Sequence, residues 1–318
     1  MKPVRRAVID VGTNSVKLLV ADVAGHCIRP IHEESKQTRL GRGFYDAHRL
    51  QPEPIAATAA AVAAFAEAAR GHEAGSIRVI ATSAAREAVN SEDLTAAIAH
   101  ASGLAVEVIS GDLEADWGFQ GVTTDPRFAQ ATLLLMDLGG GSTEFILGRG
   151  ERKHFRQSFP LGTVRLLEKT LHDDPPTPEQ LTTCRQAIRE FLQREIHPRL
   201  EPALNREVKL AEAGGELFLV GVGGTASILA CMEAKLETFD RARVEAVRLS
   251  LARATWHVRR LWSLSLEDRK KIIGLPGNRA DVILTGVAIY EAVMERFGFG
   301  ELRISTRGLR FAAVMAPP

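Results

Sequence analysis

The chain of 318 residues has no apolar run long enough to cross a bilayer. It also lacks a cysteine frame: Cys27, Cys184 and Cys231 are odd in number, widely separated, and form no CxxC pair. No histidine accompanies them at zinc-ligand spacing, so they read as buried small hydrophobes in a reducing compartment. Net charge is nearly absent, at +1 from 40 basic and 39 acidic residues. That gives no global attraction for nucleic acid or for a membrane surface, so any anion site must be local. The opening MKPVRRAVIDVG has two arginines but no adjoining apolar stretch with a cleavage site. No secretory leader is expected, and a cytoplasmic location is. The signatures GxxxxGK[ST] and HExxH are absent as well.

What is present is ordinary in bulk and specific in detail. Hydrophobic residues at 45% and charged residues at 25% suit a globular protein, and the length suits two domains. Strands are expected over Val4–Val11, Val16–Val23 and Ile28–Glu34, joined as an antiparallel meander. An alanine-rich helix follows over 53–70, started by Pro52 and Glu53. Strand Ile77–Ala81, a helix from near Ser91, strand Ala105–Ile109 and a helix opened by Ser110 complete a first half. The pattern then restarts with strands Thr132–Asp137, Glu144–Leu147 and Lys153–Phe159. Helices over Thr163–Leu171 and about Pro178 to Glu195 come next. Strand Leu217–Gly221 with its helix, strand Val244–Leu249, two helical stretches, a helix ending near Phe297, strand Leu302–Ser305 and a short last helix end the chain.

This is a repeat of architecture, and each half opens on a strand, an Asp-x-Gly turn and a returning strand. The first turn is Asp10-Val11-Gly12-Thr13-Asn14-Ser15; the second is Asp137-Leu138-Gly139-Gly140-Gly141-Ser142-Thr143. A glycine triplet at a strand end costs backbone entropy, which suggests that something approaches the backbone closely. Turns rich in glycine and hydroxyl residues aim several N–H groups to one side and form anion nests. An aspartate cannot itself welcome a phosphate, so Asp10 and Asp137, with Glu144 as a third candidate, point to a divalent cation beside the phosphates. A lone Asp-x-Gly turn is ordinarily a hairpin with a local side-chain bond; two at equivalent places carry the phosphate reading. Gly221-Val222-Gly223-Gly224-Thr225-Ala226 also fits the dinucleotide fingerprint G-x-G-x-x-A, yet it lies late in the chain and does not open a dinucleotide-binding half.

Together, the Asp10, Asp137–Glu144 and Gly221–Thr225 motifs resemble the phosphate loops of the actin/Hsp70/sugar-kinase superfamily. ATSAAREAVN (81–90), VISGDLEA (108–115), FPLGTVRL (159–166) and GLPGNRADVI (274–283) narrow the resemblance to the Ppx/GppA phosphatases, exopolyphosphatase and guanosine pentaphosphate phosphohydrolase. It runs in order from residue 7 to about 310. The resemblance implies an α/β protein of two actin-like, ribonuclease H-like domains with a cleft between them, in the short form without a C-terminal helical extension. Residues 1–125 would form the first domain, with the final segment 307–318 packing back on it, and 126–306 the second. The implied activity is magnesium-dependent (or manganese-dependent) hydrolysis of a terminal phosphoanhydride. Glu114 would act as the base, and Asp10, Asp137 and Glu144 would stand at the metal. Gly12, Thr13, Asn14, Ser15, Gly139, Gly140, Gly141, Ser142, Thr143, Gly223, Gly224 and Thr225 would bind phosphate. Lys17 and Arg86 are the candidate cations, and Arg279 and Arg307 could be structural or serve the far end of the substrate. Two departures stand out: Leu113 precedes Glu114 where the family commonly has an acidic residue, and Phe311 stands where an acidic residue is usual.

Inorganic polyphosphate is the leading expected substrate. Guanosine pentaphosphate is the alternative, and a protein that only binds guanosine tetraphosphate or pentaphosphate, or ATP as an actin-like switch, is a further one. Homodimers occur in the family, but no stripe in the sequence marks an interface.

Overall fold

The computed structural model describes residues 2–170, 173–212 and 216–316. Leu171, the last position of one expected helix, and the last two residues of the 307–318 segment lie outside them. The chain divides into two compact units. The first comprises Met1–Pro126, Gly139–Gly141 and Arg307–Pro318; the second comprises Arg127–Leu138 and Ser142–Thr306.

In the first unit, β1 (Val4–Val11), β2 (Ser15–Ala24) and β3 (Cys27–Gln37) form the meander. Both inner strands are buried almost throughout, from Ala7 to Val11 and from Ser15 to Val23 except at Lys17, because helices cover the sheet. Next, α1 (Pro52–Gly71) starts with proline in its first turn, and buries Ala59, Ala61, Ala66 and Ala69 along one side. Small side chains let it pack closely. β4 (Ile77–Ala81) lies parallel to β1 and leads into α2 (Ser83–Glu87) and α3 (Ser91–Ser102). β5 (Val106–Val108) lies parallel to β4 and leads into α4 (Gly111–Thr123). The sheet order is β3-β2-β1-β4-β5.

The second unit repeats this. β6 (Thr132–Leu138), β7 (Thr143–Arg149) and β8 (Arg152–Phe159) form its meander. The helices α5 (Thr163–Lys169) and α6 (Pro178–Phe191) follow, the latter opened by a reciprocal cap between Thr177 and Gln180. A π turn over Leu192–Ile196 joins α6 to α7 (His197–Glu212). β9 (Leu217–Val222) pairs parallel with β6 and enters α8 (Gly223–Glu233). Then come α9 (Arg241–Ala246), β10 (Arg248–Ser250), α10 (Leu251–Trp262), α11 (Leu266–Arg269), a 3-10 turn at Gly277–Arg279, and α12 (Ile283–Phe297). β11 (Glu301–Ile304) pairs parallel with β9, and α13 (Leu309–Ala313) belongs to the first unit. The order β10-β11-β9-β6-β7-β8 matches the first sheet from β8 to β11, with β10 added antiparallel at the edge. The α/β class is thus as the sequence implied, and the two sheets share a strand order.

Each unit has its own core. Val8, Leu19, Ile80, Trp117 and Phe311 cluster in the first. In the second, Leu134, Phe145, Leu219, Val287 and Tyr290 do. Every residue of α12 from Ile283 to Met294 is buried, which explains its nearly continuous apolar sequence.

Two expected elements are corrected. Val244–Leu249 is not one strand: Asp240 accepts a hydrogen bond from Arg243 N (3.1 Å) and caps α9, leaving only Arg248–Ser250 extended. The helix expected to stop near Glu195 continues to Glu212. The π turn widens the backbone ring just before Pro198, and so accommodates a residue that lacks an N–H.

Candidate active site

In the first unit, the loop between β1 and β2 is held by its own backbone. Gly12 N donates to Ser15 O (3.0 Å), and Thr13 O accepts from Gly41 N (2.8 Å). Asn14 O accepts from Thr38 N (3.2 Å) and Arg39 N (3.0 Å). With these carbonyls engaged, the turn's remaining capacity is mainly that of a donor. Asn14 illustrates this: its Oδ1 accepts from Gln37 Nε2 (3.1 Å), while its Nδ2 is buried without a hydrogen-bond partner. Leaving such a donor orphaned costs about 1–3 kcal/mol, which a bound anion would recover. Thr13, Asn14 and Ser15 are all buried.

Asp10 sits directly across the strand pair from Lys17. Burial pushes its carboxyl pKa up, opposed by the charges of Lys17 and Arg310. Arg310 reaches β2 and β3 from α13, donating to Leu18 O (2.6 Å) and Glu33 Oε2 (3.3 Å). Nothing in its spacing marked it as a neighbour of Asp10.

The structure brings Glu114 and Arg86 together. Ser110 caps α4 by accepting from Leu113 N (3.2 Å), which fixes the first turn where Glu114 lies. Glu114 is only 9% exposed, unusual for a carboxylate at a helix start. Arg86 Nη1 donates both to Ile109 O (2.9 Å) and to Glu114 Oε2 (3.0 Å). One nitrogen therefore ties the carboxylate to the strand end. Nε and Nη2 of Arg86 have no partner among the described residues, so the same guanidinium can hold Glu114 and still meet a phosphate. Asp112, two residues earlier, is exposed.

Gly141 packs in the first unit with three hydroxyls around it. A Cβ there would fall 2.4 Å from Ser83 Oγ, 2.7 Å from Tyr45 OH and 2.8 Å from Thr13 Oγ1, so any side chain would have to displace three hydroxyls. Ser83 and Tyr45 were not singled out from the sequence. Ser83 lies in the ATSAAR stretch beside Arg86 and could have been; Tyr45 sits in a loop with no local signature.

In the second unit, Asp137 and Glu144 are direct cross-strand partners. Two like charges so placed repel unless hydrogen bonds or a cation intervene. Glu144 is almost fully buried, and its Oε1 accepts from Ser142 Oγ (2.8 Å) and Ser158 Oγ (2.6 Å). Thr143 Oγ1 donates to Leu161 O. The hydroxyls of Ser142 and Thr143 thus shape the turn. Among the described residues, no group of three or more His, Cys, Asp or Glu is placed to hold a metal ion. Magnesium needs fewer: one or two carboxylates, with water and substrate oxygens completing its shell. The all-oxygen pair Asp137/Glu144 fits that requirement.

Asp137 also borders the N-terminus of α8. A Cβ on Gly223 would lie 3.0 Å from Asp137 Oδ1, and Gly223 has φ +89°. A Cβ on Gly224 would lie 3.7 Å from Arg279 Nη2, so that guanidinium stands over the helix start. Helix N–H groups, the positive end of the dipole and an arginine are the groups from which an anion position is built. Tyr290, buried beneath, donates to Val222 O (3.3 Å) and fixes the strand end. Arg307, by contrast, donates to Thr124 O (2.9 Å) and serves the chain itself. Gly223→Ala is expected to weaken phosphate binding roughly tenfold, since a side chain strained by ~1–2 kcal/mol at positive φ moves the helix start off the geometry that aims its N–H groups. A KM measurement with an unchanged circular dichroism spectrum checks this.

The chain matches the Ppx/GppA phosphatase family over residues 19–314. It belongs to that family and is an enzyme, a phosphoanhydride hydrolase. It is 37% identical over 314 residues to exopolyphosphatase 2 of Mycobacterium tuberculosis, covering 95% of this chain and 94% of that one. Among solved structures, it is similar to an exopolyphosphatase from Cytophaga hutchinsonii, with a TM-score of 0.82 and 26% identity over 97% of this chain and 96% of the other. It is also similar to the Aquifex aeolicus PPX-GPPA enzyme, with a TM-score of 0.76 and 26% identity over 99% of this chain and all of the other. No helix among the described residues is long and apolar enough to cross a membrane.

Proposed function

We propose that the protein is a magnesium-dependent exopolyphosphatase, releasing terminal orthophosphate from inorganic polyphosphate by attack of water. The observation that carries this reading is the Glu114–Arg86 pair: a buried carboxylate tied to a strand end by a guanidinium that keeps two nitrogens for a phosphate. The exopolyphosphatase names of its relatives support polyphosphate as the substrate.

Glu114 orients the attacking water and accepts its proton as the new P–O bond forms at the terminal phosphorus. The bridging P–O bond breaks, and the shortened chain leaves with the bonding electrons. Phosphoryl transfer asks mainly for positioning and charge neutralisation. In the first unit the nest at Thr13–Ser15 with Lys17 and Arg86, and in the second the start of α8 with Arg279, are groups suited to both tasks. Asp137 and Glu144 are the residues that would hold magnesium or manganese, and Asp10 is a further candidate carboxylate; such an ion would neutralise charge on phosphate oxygens.

The test is orthophosphate release with magnesium from tripolyphosphate, long-chain polyphosphate, guanosine pentaphosphate and ATP. The reading expects the polyphosphates to have the highest kcat/KM. Preferential turnover of guanosine pentaphosphate would replace the substrate, and binding without release from any of the four would replace the enzyme by a sensor.

A further inference from the structure

From Ser263 to Val282 the second unit has little apolar cover: Arg269, Leu275, Ala280 and Val282 are the only buried residues there. Arg269 is 1% exposed and heads the fully buried side chains by volume among the described residues. A guanidinium is therefore the largest buried side chain of the segment. The segment turns repeatedly around it. Arg269 N donates to Ser265 O (2.9 Å), Ile272 N to Arg269 O (3.0 Å), Leu275 N to Ile272 O (3.0 Å) and Arg279 N to Pro276 O (2.8 Å).

Two acidic side chains face this cation, Asp174 from the stretch before α6 and Asp281 from the segment itself. Asp174 Oδ1 lies 3.6 Å from Arg269 Nη2 and also accepts from Leu266 N (2.7 Å). Asp281, which accepts from Val282 N (2.8 Å), acts on it electrostatically. Burial pushes the Arg269 pKa down and both aspartates push it up. Nε and Nη1 are buried without hydrogen-bond partners. Such an arrangement is a poor source of stability, because desolvating the charge offsets much of the attraction. It is a good way to fix one loop conformation, since the fork can satisfy few others.

What that loop carries is Arg279, whose Nη2 stands over Gly224 at the start of α8. The geometry points to Arg269 as a positioning residue that holds the 274–281 segment so that Arg279 meets a substrate phosphate at the α8 N-terminus. This rests on the proposed function, in that a phosphate chain is what Arg279 contacts.

The experiment is a double-mutant cycle on tripolyphosphate hydrolysis, with Arg269→Met, Arg279→Ala and the double variant. Each single variant is expected to raise KM about tenfold with kcat within about threefold, the size of one lost charge-assisted contact. The double variant should be no worse than Arg279→Ala alone. Arg269→Lys, which keeps the charge and loses the fork, should fall between wild type and Arg269→Met. A wild-type KM in either single variant, or a double variant whose KM effect is the product of the two, overturns the inference. A loss confined to Tm does so too, because that is all a merely structural role would move. Should Arg269→Met not fold, Arg269→Lys takes its place in the cycle. If the wild type releases no phosphate, the functional reading fails by itself, and tripolyphosphate affinity by calorimetry in the same variants decides the inference.

Discussion

Glu114→Gln should lower phosphate release by ~10²–10⁴-fold, the usual contribution of a positioned general base. The amide is isosteric and can still accept from Arg86, so the strand-end tie at 3.0 Å persists in outline while the proton acceptor is gone. KM for tripolyphosphate should change little, because the nests and cations are untouched. Arg86→Ala separates the two jobs of that residue. It frees Glu114 and removes a phosphate contact, so kcat and KM should both worsen. Near-normal turnover in Glu114→Gln would remove Glu114 from the reaction and leave the first unit with a grip and no base.

The second large effect concerns the cation. Chelating divalent ions should lower turnover by ~10²-fold or more, since a Lewis acid on phosphoryl oxygens supplies several kcal/mol. Added magnesium should restore it. Asp137→Ala should lower turnover by a comparable factor and shift the magnesium titration to higher concentration. The cross-strand pairing gives the reason. Asp137 and Glu144 face each other on antiparallel strands, and Ser142 and Ser158 both donate to Oε1 of Glu144. Ser158→Ala should weaken magnesium less than Asp137→Ala does, because it loosens a ligand without removing one. Full activity in excess chelator would show that the two carboxylates serve another purpose.

Local chemistry made the strand ends readable. Asp10 and Asp137 each close an apolar run, glycine follows, and the meanders then return, so alternation and turn residues sufficed to place them. Glu114 was legible only through the whole VISGDLEA stretch, since a glutamate in a first helical turn is usually a solvated charge. Its burial and its bond to Arg86 depend on β4 and the end of β5 coming together, which no local pattern encodes. The same holds for Arg279 over Gly224 and for Arg310 near Asp10: both contacts join segments distant in sequence. The strand misread over Val244–Leu249 failed for a different reason. Its apolar alternation outweighed one capping aspartate, and the cap prevailed. Hydroxyl residues in such a pattern also serve the turn itself. Thr143 and Ser142 lie in a phosphate-loop pattern, yet their side chains bond to Leu161 and Glu144.

The central claim is that water attacks the terminal phosphorus of a phosphoanhydride. Hydrolysis of tripolyphosphate in ¹⁸O-labelled water with magnesium tests it most directly, by locating the label with mass spectrometry. The account predicts one labelled oxygen in the released orthophosphate and none in the pyrophosphate left behind. Label in the pyrophosphate, or release of unlabelled orthophosphate, would contradict it.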